Sequence, residues 1–244
     1  TLVINNGAVL PNAVYQFKIS GSGTVMDEGG SRLDGDNDGY AGGDFIFTFS
    51  VSKKPGTPLL SAPSSGSFSN DNTPQFAWQP AALASTYELV VAKDSGFTNK
   101  VLTQTAIPGT SFTPSALPDG KYYWRVHAFN IFGSAGSWSV TWNLSVNTLP
   151  PAVPKLDKPA DLGASRGVPV FYWLTASGAK YYRLRLTDTL GGELYTSANL
   201  TTLNHRPPEQ DLGVLLWQVS SGDAAGNWSA WSAPRSLLIR PKIP

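Results

Sequence analysis

Apolar and polar residues alternate along much of this chain, the two-residue period of strands that bury one face. In the stretch 121–128, Tyr122, Trp124, Val126 and Ala128 fall on one side, and Tyr123, Arg125 and His127 on the other. In 180–186, Tyr182, Leu184 and Leu186 alternate with Tyr181, Arg183 and Arg185. No segment carries a helical period over three turns. The pattern predicts an all-β chain of short antiparallel strands, each with one buried and one wet face. His127 is expected on a solvated face.

The pattern also recurs. Phe76-Ala-Trp78 returns as Phe171-Tyr-Trp173, and Tyr87-Glu-Leu as Tyr182-Arg-Leu, both shifted by 95 residues. Trp124-Arg-Val126 returns as Trp217-Gln-Val219, and Trp138-Ser139 as Trp231-Ser232, both shifted by 93. A period near 95 exceeds the solenoid range and matches one small β-sandwich of about 100 residues. Proline-rich breaks at Lys53-Lys-Pro-Gly-Thr-Pro58 and at Asn147-Thr-Leu-Pro-Pro-Ala-Val-Pro154 divide the chain into 1–54, 55–149 and 150–244. Proline stiffens such linkers, so semi-rigid beads on a string are expected.

Composition narrows the function classes. The 244 residues carry a net charge of +1 without a basic run, which gives nucleic acid or an anionic membrane no electrostatic hold. There is no cysteine, which removes disulfides, thiol nucleophiles and thiolate metal sites and points towards a bacterial or archaeal source. No apolar run approaches the ~20 residues of a membrane helix. The chain opens at Thr1, as a mature product or an excised piece does. Its two histidines, His127 and His205, have no ligand or nucleophile at catalytic or metal spacing, and Gly21-Ser-Gly23 is a turn. Asn143-Leu-Ser, Asn199-Leu-Thr and Asn227-Trp-Ser fit the glycosylation sequon by chance in a bacterial protein.

Thr73-Pro-Gln-Phe-Ala-Trp78, Ser85-Thr-Tyr-Glu-Leu89, Leu117-Pro-Asp-Gly-Lys-Tyr-Tyr-Trp-Arg-Val126 and Gly136-Ser-Trp-Ser139 resemble the bacterial fibronectin type III-like family, and the second copy keeps much of this. The resemblance spans nearly all of 57–240 and implies tandem Ig-like, fibronectin type III-like β-sandwiches. Trp228-Ser-Ala-Trp231-Ser resembles the Trp-Ser-x-Trp-Ser box of cytokine receptors, whose tryptophans stack on arginines of a neighbouring strand. In the first copy the looser Trp138-Ser-Val-Thr-Trp142 is expected to stack on Arg125. The second has Gln218 at that position, so Arg183 and Arg185 are expected to supply the cations.

Residues 1–54 resemble the closing half of a bacterial surface-type Ig-like domain, with three or four strands where a whole domain has about seven. Within them, Asp34, Asp36, Asp38 and Asp44 lie among Gly35, Gly39, Gly42 and Gly43. Asp-x-Asp-x-Asp-Gly opens a calcium loop, in which residues 1, 3 and 5 give side-chain oxygens and residue 7, here Tyr40, a carbonyl. Position 12 is Phe45 rather than a bidentate Glu, so Asp44 is expected to substitute in a loop on a β scaffold. Asp27 and Glu28 are further candidates. An oxygen-only flexible loop favours calcium over magnesium.

The expected function is a non-catalytic, calcium-stabilised structural protein of the bacterial cell surface. It would space or assemble larger parts with itself or with other surface proteins. The incomplete first unit had its missing half removed or receives a strand from another copy, which would build filaments. The alternative is an adhesin, or a carbohydrate-binding accessory module of a longer secreted enzyme, with outward Tyr123 and Tyr181 stacking on glycans.

Overall fold

The computed structural model describes residues 10–11, 13–21 and 25–241. Among these the chain is entirely β, with no helix and hence none long and apolar enough to cross a membrane. Strands β1 (Ala13–Ile19) and β2 (Phe45–Val51) form a two-stranded antiparallel sheet. The middle unit contains β3 (Leu60–Ala62), β4 (Ser67–Ser69), β5 (Phe76–Trp78), β6 (Thr86–Ala92), β7 (Lys100–Ile107), β8 (Ser111–Phe112), β9 (Gly120–Phe129) and β10 (Trp142–Val146). The C-terminal unit repeats the set as β11 (Leu156–Lys158), β12 (Gly163–Arg166), β13 (Phe171–Trp173), β14 (Tyr181–Thr187), β15 (Glu193–Thr196), β16 (Asn204–His205), β17 (Gly213–Gly222) and β18 (Arg235–Arg240).

Each of these two units is a sandwich of a three-stranded and a five-stranded sheet. The strand orders are β3-β5-β8 against β4-β10-β9-β6-β7, and β11-β13-β16 against β12-β18-β17-β14-β15. Pairing is antiparallel except where β4 meets β10 and β12 meets β18, which run parallel. The tandem sandwich reading of the sequence therefore holds.

The repeated aromatic residues are the core. Phe76 meets Trp124 at 5.0 Å and 61°, and Phe171 meets Trp217 at 5.1 Å and 60°. Trp78 packs on Tyr87 at 5.5 Å and Trp173 on Tyr182 at 5.9 Å. Both tyrosine hydroxyls accept a backbone N–H six residues upstream, from Ala81 at 3.0 Å and Ala176 at 3.1 Å. The indole N–H groups of Trp78, Trp124, Trp173 and Trp217 find no acceptor. Leaving each unpaired costs about 1–3 kcal/mol. Burying an indole contributes about 4–6 kcal/mol from its area alone, so packing wins.

The odd face of β9 differs from expectation. His127 is buried at 8% exposure, stacked on Trp138 at 3.7 Å and paired with Glu88 at 3.2 Å. The cause is the segment after β9, which doubles back along it. Gly136 N–H donates to the Ala128 carbonyl and Ser139 N–H to that of Val126, each at 2.8 Å. Trp138 is thereby laid over the sheet, where it joins Val90, Ala92, Phe97 and Tyr123 in a second apolar cluster.

The same fold-back explains the Trp-Ser boxes. The hydroxyls of Ser139 and Ser232 accept the N–H of Val126 and Val219 at 3.0 and 3.2 Å, and that of Ser229 accepts Ser221 N–H at 3.1 Å. Serine thus supplies both backbone and side-chain bonds to the long central strand, and the tryptophans between face outward. Arg125 lies 4.2 Å from Trp138, Arg183 lies 4.0 Å from Trp228 and Arg185 lies 4.4 Å from Trp231. The substitution of strand-β14 arginines for the missing one at Gln218 is as expected. Trp142 stands apart from the ladder and packs edge-on against Trp124 at 5.9 Å.

Candidate functional site in the acidic loop and the junctions

Between β1 and β2 the chain makes two small loops. In the first, Asp27 accepts Ser31 N–H at 2.8 Å and closes a turn on itself. In the second, Gly35 N–H reaches the Gly42 carbonyl at 2.9 Å and Gly42 N–H that of Leu33 at 3.0 Å, which pinches the loop at its neck. Glycine is required at this neck, because a Cβ on Gly35 would strike the Phe45 backbone and one on Gly43 the Asp36 carboxylate. Asn37 and Gly39 adopt positive φ (60° and 90°) and turn the tip.

The loop gathers Asp34, Asp36 and Asp38 so that one carboxylate oxygen from each lies within 4.8 Å of the others. Asp34 accepts the N–H groups of Asp38 and Gly39 at 3.2 and 3.0 Å, and Asp38 accepts that of Tyr40 at 2.9 Å. Tyr40 itself is 78% exposed. Asp44 lies outside this trio. It pairs with Lys18 and accepts Gly21 N–H at 3.3 Å, and the Lys18 hydrogen bond leads the effects that hold its carboxyl below the usual range. Asp27, bound up in its own turn, is also outside the trio.

A second arrangement was missed in the sequence. Each sandwich meets the segment before it through a polar clamp set just after its long central strand. At the first junction Asn130 accepts Phe132 and Ser134 N–H at 2.9 and 3.0 Å, and its amide donates to Ser52 Oγ and the Lys53 carbonyl, both at 2.7 Å. Ser134 and Ser52 hydroxyls bond at 2.8 Å. At the second junction Asp223 accepts Ala225 and Asn227 N–H at 2.9 Å, and its other oxygen accepts the Asn147 amide at 2.7 Å. Asn227 donates to the Asn147 carbonyl at 2.7 Å. Ser52, Asn130 and Ser134 correspond to Asn147, Asp223 and Asn227 at the repeat shifts of 95, 93 and 93. Every one of these residues changes identity between the copies, so a search for recurring words passes over them.

Asp223 feels opposing effects. Its burial raises the carboxyl pKa, and the bonds from Asn227, Ala225 and Gly226 outweigh that and leave it below 3.8. In the C-terminal sandwich, Tyr195 hydroxyl and His205 Nε2 share a hydrogen bond of 2.8 Å, with desolvation raising the first pKa and lowering the second. Among the described residues no acid or nucleophile is hydrogen-bonded to that pair. Tyr123 and Tyr181 are half-buried, lie on different sandwiches, and carry the ammonium groups of Lys121 and Lys180 over their rings at 5.2 and 5.3 Å.

No known family model and no curated protein matches the chain. Solved structures do. The chicken CNTN1 FN1–FN3 domains align with a TM-score of 0.53 at 15% identity, over 80% of this chain and 69% of that one. Clostridium thermocellum CbhA fibronectin(III)-like modules align with a TM-score of 0.50 at 13% identity, over 75% and 94%. At such identities the likeness establishes the fibronectin type III-like tandem fold and nothing further.

Proposed function

We propose that the chain is a non-catalytic spacer of an extracellular, bacterial cell-surface protein, in which clamped sandwiches hold larger parts at a set distance and orientation. The observation that carries this reading is the recurrence of the polar clamp at both junctions. A floppy tether has no use for a hydrogen-bonded asparagine or aspartate at every joint, and proline linkers act in the same direction. The adhesin alternative has less behind it, since Tyr123 and Tyr181 form no common platform.

The acidic loop adds calcium to the proposal, held by Asp34, Asp36 and Asp38 with the Tyr40 carbonyl. Asp36 and Asp38 are exposed, Asp34 is half-buried, and the trio has no bidentate glutamate. Its affinity then falls in the ~10⁻⁴–10⁻³ M range of extracellular modules, so it would fill only outside the cell. Asp44 stays with Lys18.

Small-angle scattering tests the spacer. The chain should show one sharply bounded maximum dimension, and the double variant Asn130→Ala with Asn147→Ala a broader, shorter distribution. Identical curves for the two proteins would remove the rigid-spacer reading. Calcium is tested by isothermal titration against the chain and against Asp36→Asn. Heat only from the unaltered chain is expected, and no heat from either would end the calcium reading.

A further inference from the structure

The N-terminal hairpin is built as the last two strands of the sandwiches are. Leu10-Pro11 and Tyr15-Gln-Phe17 correspond to Leu117-Pro118 and Tyr122-Tyr-Trp124 at a shift of 107, while Phe47, Phe49 and Val51 correspond to Trp142, Leu144 and Val146 at a shift of 95. The pairing register is the same. Ala13 faces Val51, Tyr15 faces Phe49 and Phe17 faces Phe47, as Gly120 faces Val146, Tyr122 faces Leu144 and Trp124 faces Trp142. The corner is the same too, because Tyr15 hydroxyl donates to the Pro11 carbonyl and Tyr122 hydroxyl to the Pro118 carbonyl. The exit is also shared. Ser52, one residue past β2, enters the clamp of the middle sandwich, as Asn147, one residue past β10, enters that of the C-terminal one. The difference between the shifts is an insertion of 12 residues, and the acidic loop lies within the lengthened connection.

Yet the inward face is incompletely covered. Tyr122, Trp124, Val126 and Leu144 are fully buried. Their counterparts Tyr15, Phe17, Ile19 and Phe49 are only half-buried, Phe47 at the position of the half-buried Trp142 is 53% exposed, and the hairpin's aromatic residues touch chiefly one another, Tyr15 on Phe49 at 5.5 Å and Phe47 on Phe49 at 6.0 Å. In the complete copies that face is covered by the strands that come earlier in the same copy, as Phe76 of β5 covers Trp124. The footprint argues for the same source here. Two seven-residue strands offer a face of about 24 by 10 Å, or ~240 Å², against the ~800 Å² per partner of a stable complex between separate molecules. A surface this small is held by a segment on the same chain, whose effective concentration is high.

We propose that residues 10–51 are the closing hairpin of a third copy of this sandwich. Their aromatic face is the docking surface for strands equivalent to β3–β8, supplied in cis from the N-terminal side. The long β9–β10 connection of the middle sandwich meets the unit before it, so the acidic loop lies at the corresponding outer end of the third copy.

The test compares the 244-residue chain with one in which residues 55–116 are repeated directly ahead of Leu10, the equivalent of Leu117. Amide exchange in β1 and β2 should slow by more than about 100-fold in the extended chain, which becomes a closed sandwich. An extended chain carrying Phe17→Trp, Phe47→Trp and Phe49→Leu gives the repeated strands the core partners they have in the middle sandwich, so a misfit of side chains cannot hide the result. Unchanged exchange in both extended chains would overturn the proposal. So would a concentration-dependent doubling of mass of the 244-residue chain that itself protects β1 and β2, since a second copy would then be the occupant.

Discussion

Single side chains decide where this molecule is stiff. Arg183 and Arg185 each stand over a tryptophan at 4.0 and 4.4 Å, and each also makes a hydrogen bond, to Asn199 at 2.9 Å and Gln218 at 2.7 Å. Replacing both with alanine is expected to lower the stability of the C-terminal sandwich by about 1–3 kcal/mol, read by urea denaturation followed at its tryptophans. An unchanged midpoint would show the stacks to be ornamental. Asp223 makes a pH prediction. Its folded pKa lies below the unfolded 3.8, so its contribution is complete above that value and is lost as the pH falls through the lower folded value. The melting temperature of the C-terminal sandwich should hold steady down to about pH 4 and drop below it. Asp223→Asn should melt earlier at neutral pH, with a shallower acid limb. The difference between the two proteins isolates Asp223 from Asp71, Asp94 and Asp161, whose carboxyls are also held low.

Strands and loops show what a sequence reveals and what it hides. The long central strands were legible because burial imposes a two-residue period, and Trp124 and Trp217 are buried as that period requires. His127 was misjudged because the period assigns a side to a residue and is silent on what later folds over that side. In the acidic loop, the Asp-x-Asp-x-Asp spacing did indicate which carboxylates meet, since the glycine neck forces Asp34, Asp36 and Asp38 together. Asp44 could not be placed the same way, because its partner Lys18 comes from the far side of the hairpin. Two strands stand where three or four were expected in the described part of the first unit, the intervening residues forming only isolated bridges such as Met26 with Arg32. The core argument yields a direct test. Phe171→Ala should cost about 3–5 kcal/mol and shift only the C-terminal transition in calorimetry, leaving the middle sandwich where it was. A shift of both transitions would mean that the beads melt as one.

At the scale of the molecule, joints and beads are made by different chemistry. The beads are held by buried rings, whereas the joints depend on a few polar groups around Asn130 and Asp223, and of the two clamps the one at Asp223 is built on a carboxylate and is the one that acid loosens. Pulling on the two ends has another outcome. Ser67–Ser69 of β4 lies parallel to Leu144–Val146 of β10, and Gly163–Arg166 of β12 lies parallel to Leu237–Arg240 of β18. Tension enters each bead near the first member of such a pair and leaves from the second. Parallel strands drawn in opposite directions are loaded in shear, so their hydrogen bonds must break together rather than one after another. The register is three residue pairs long in the middle bead and four in the C-terminal bead. Under a rising load the middle bead therefore gives way first, and the C-terminal bead is the last to surrender its length.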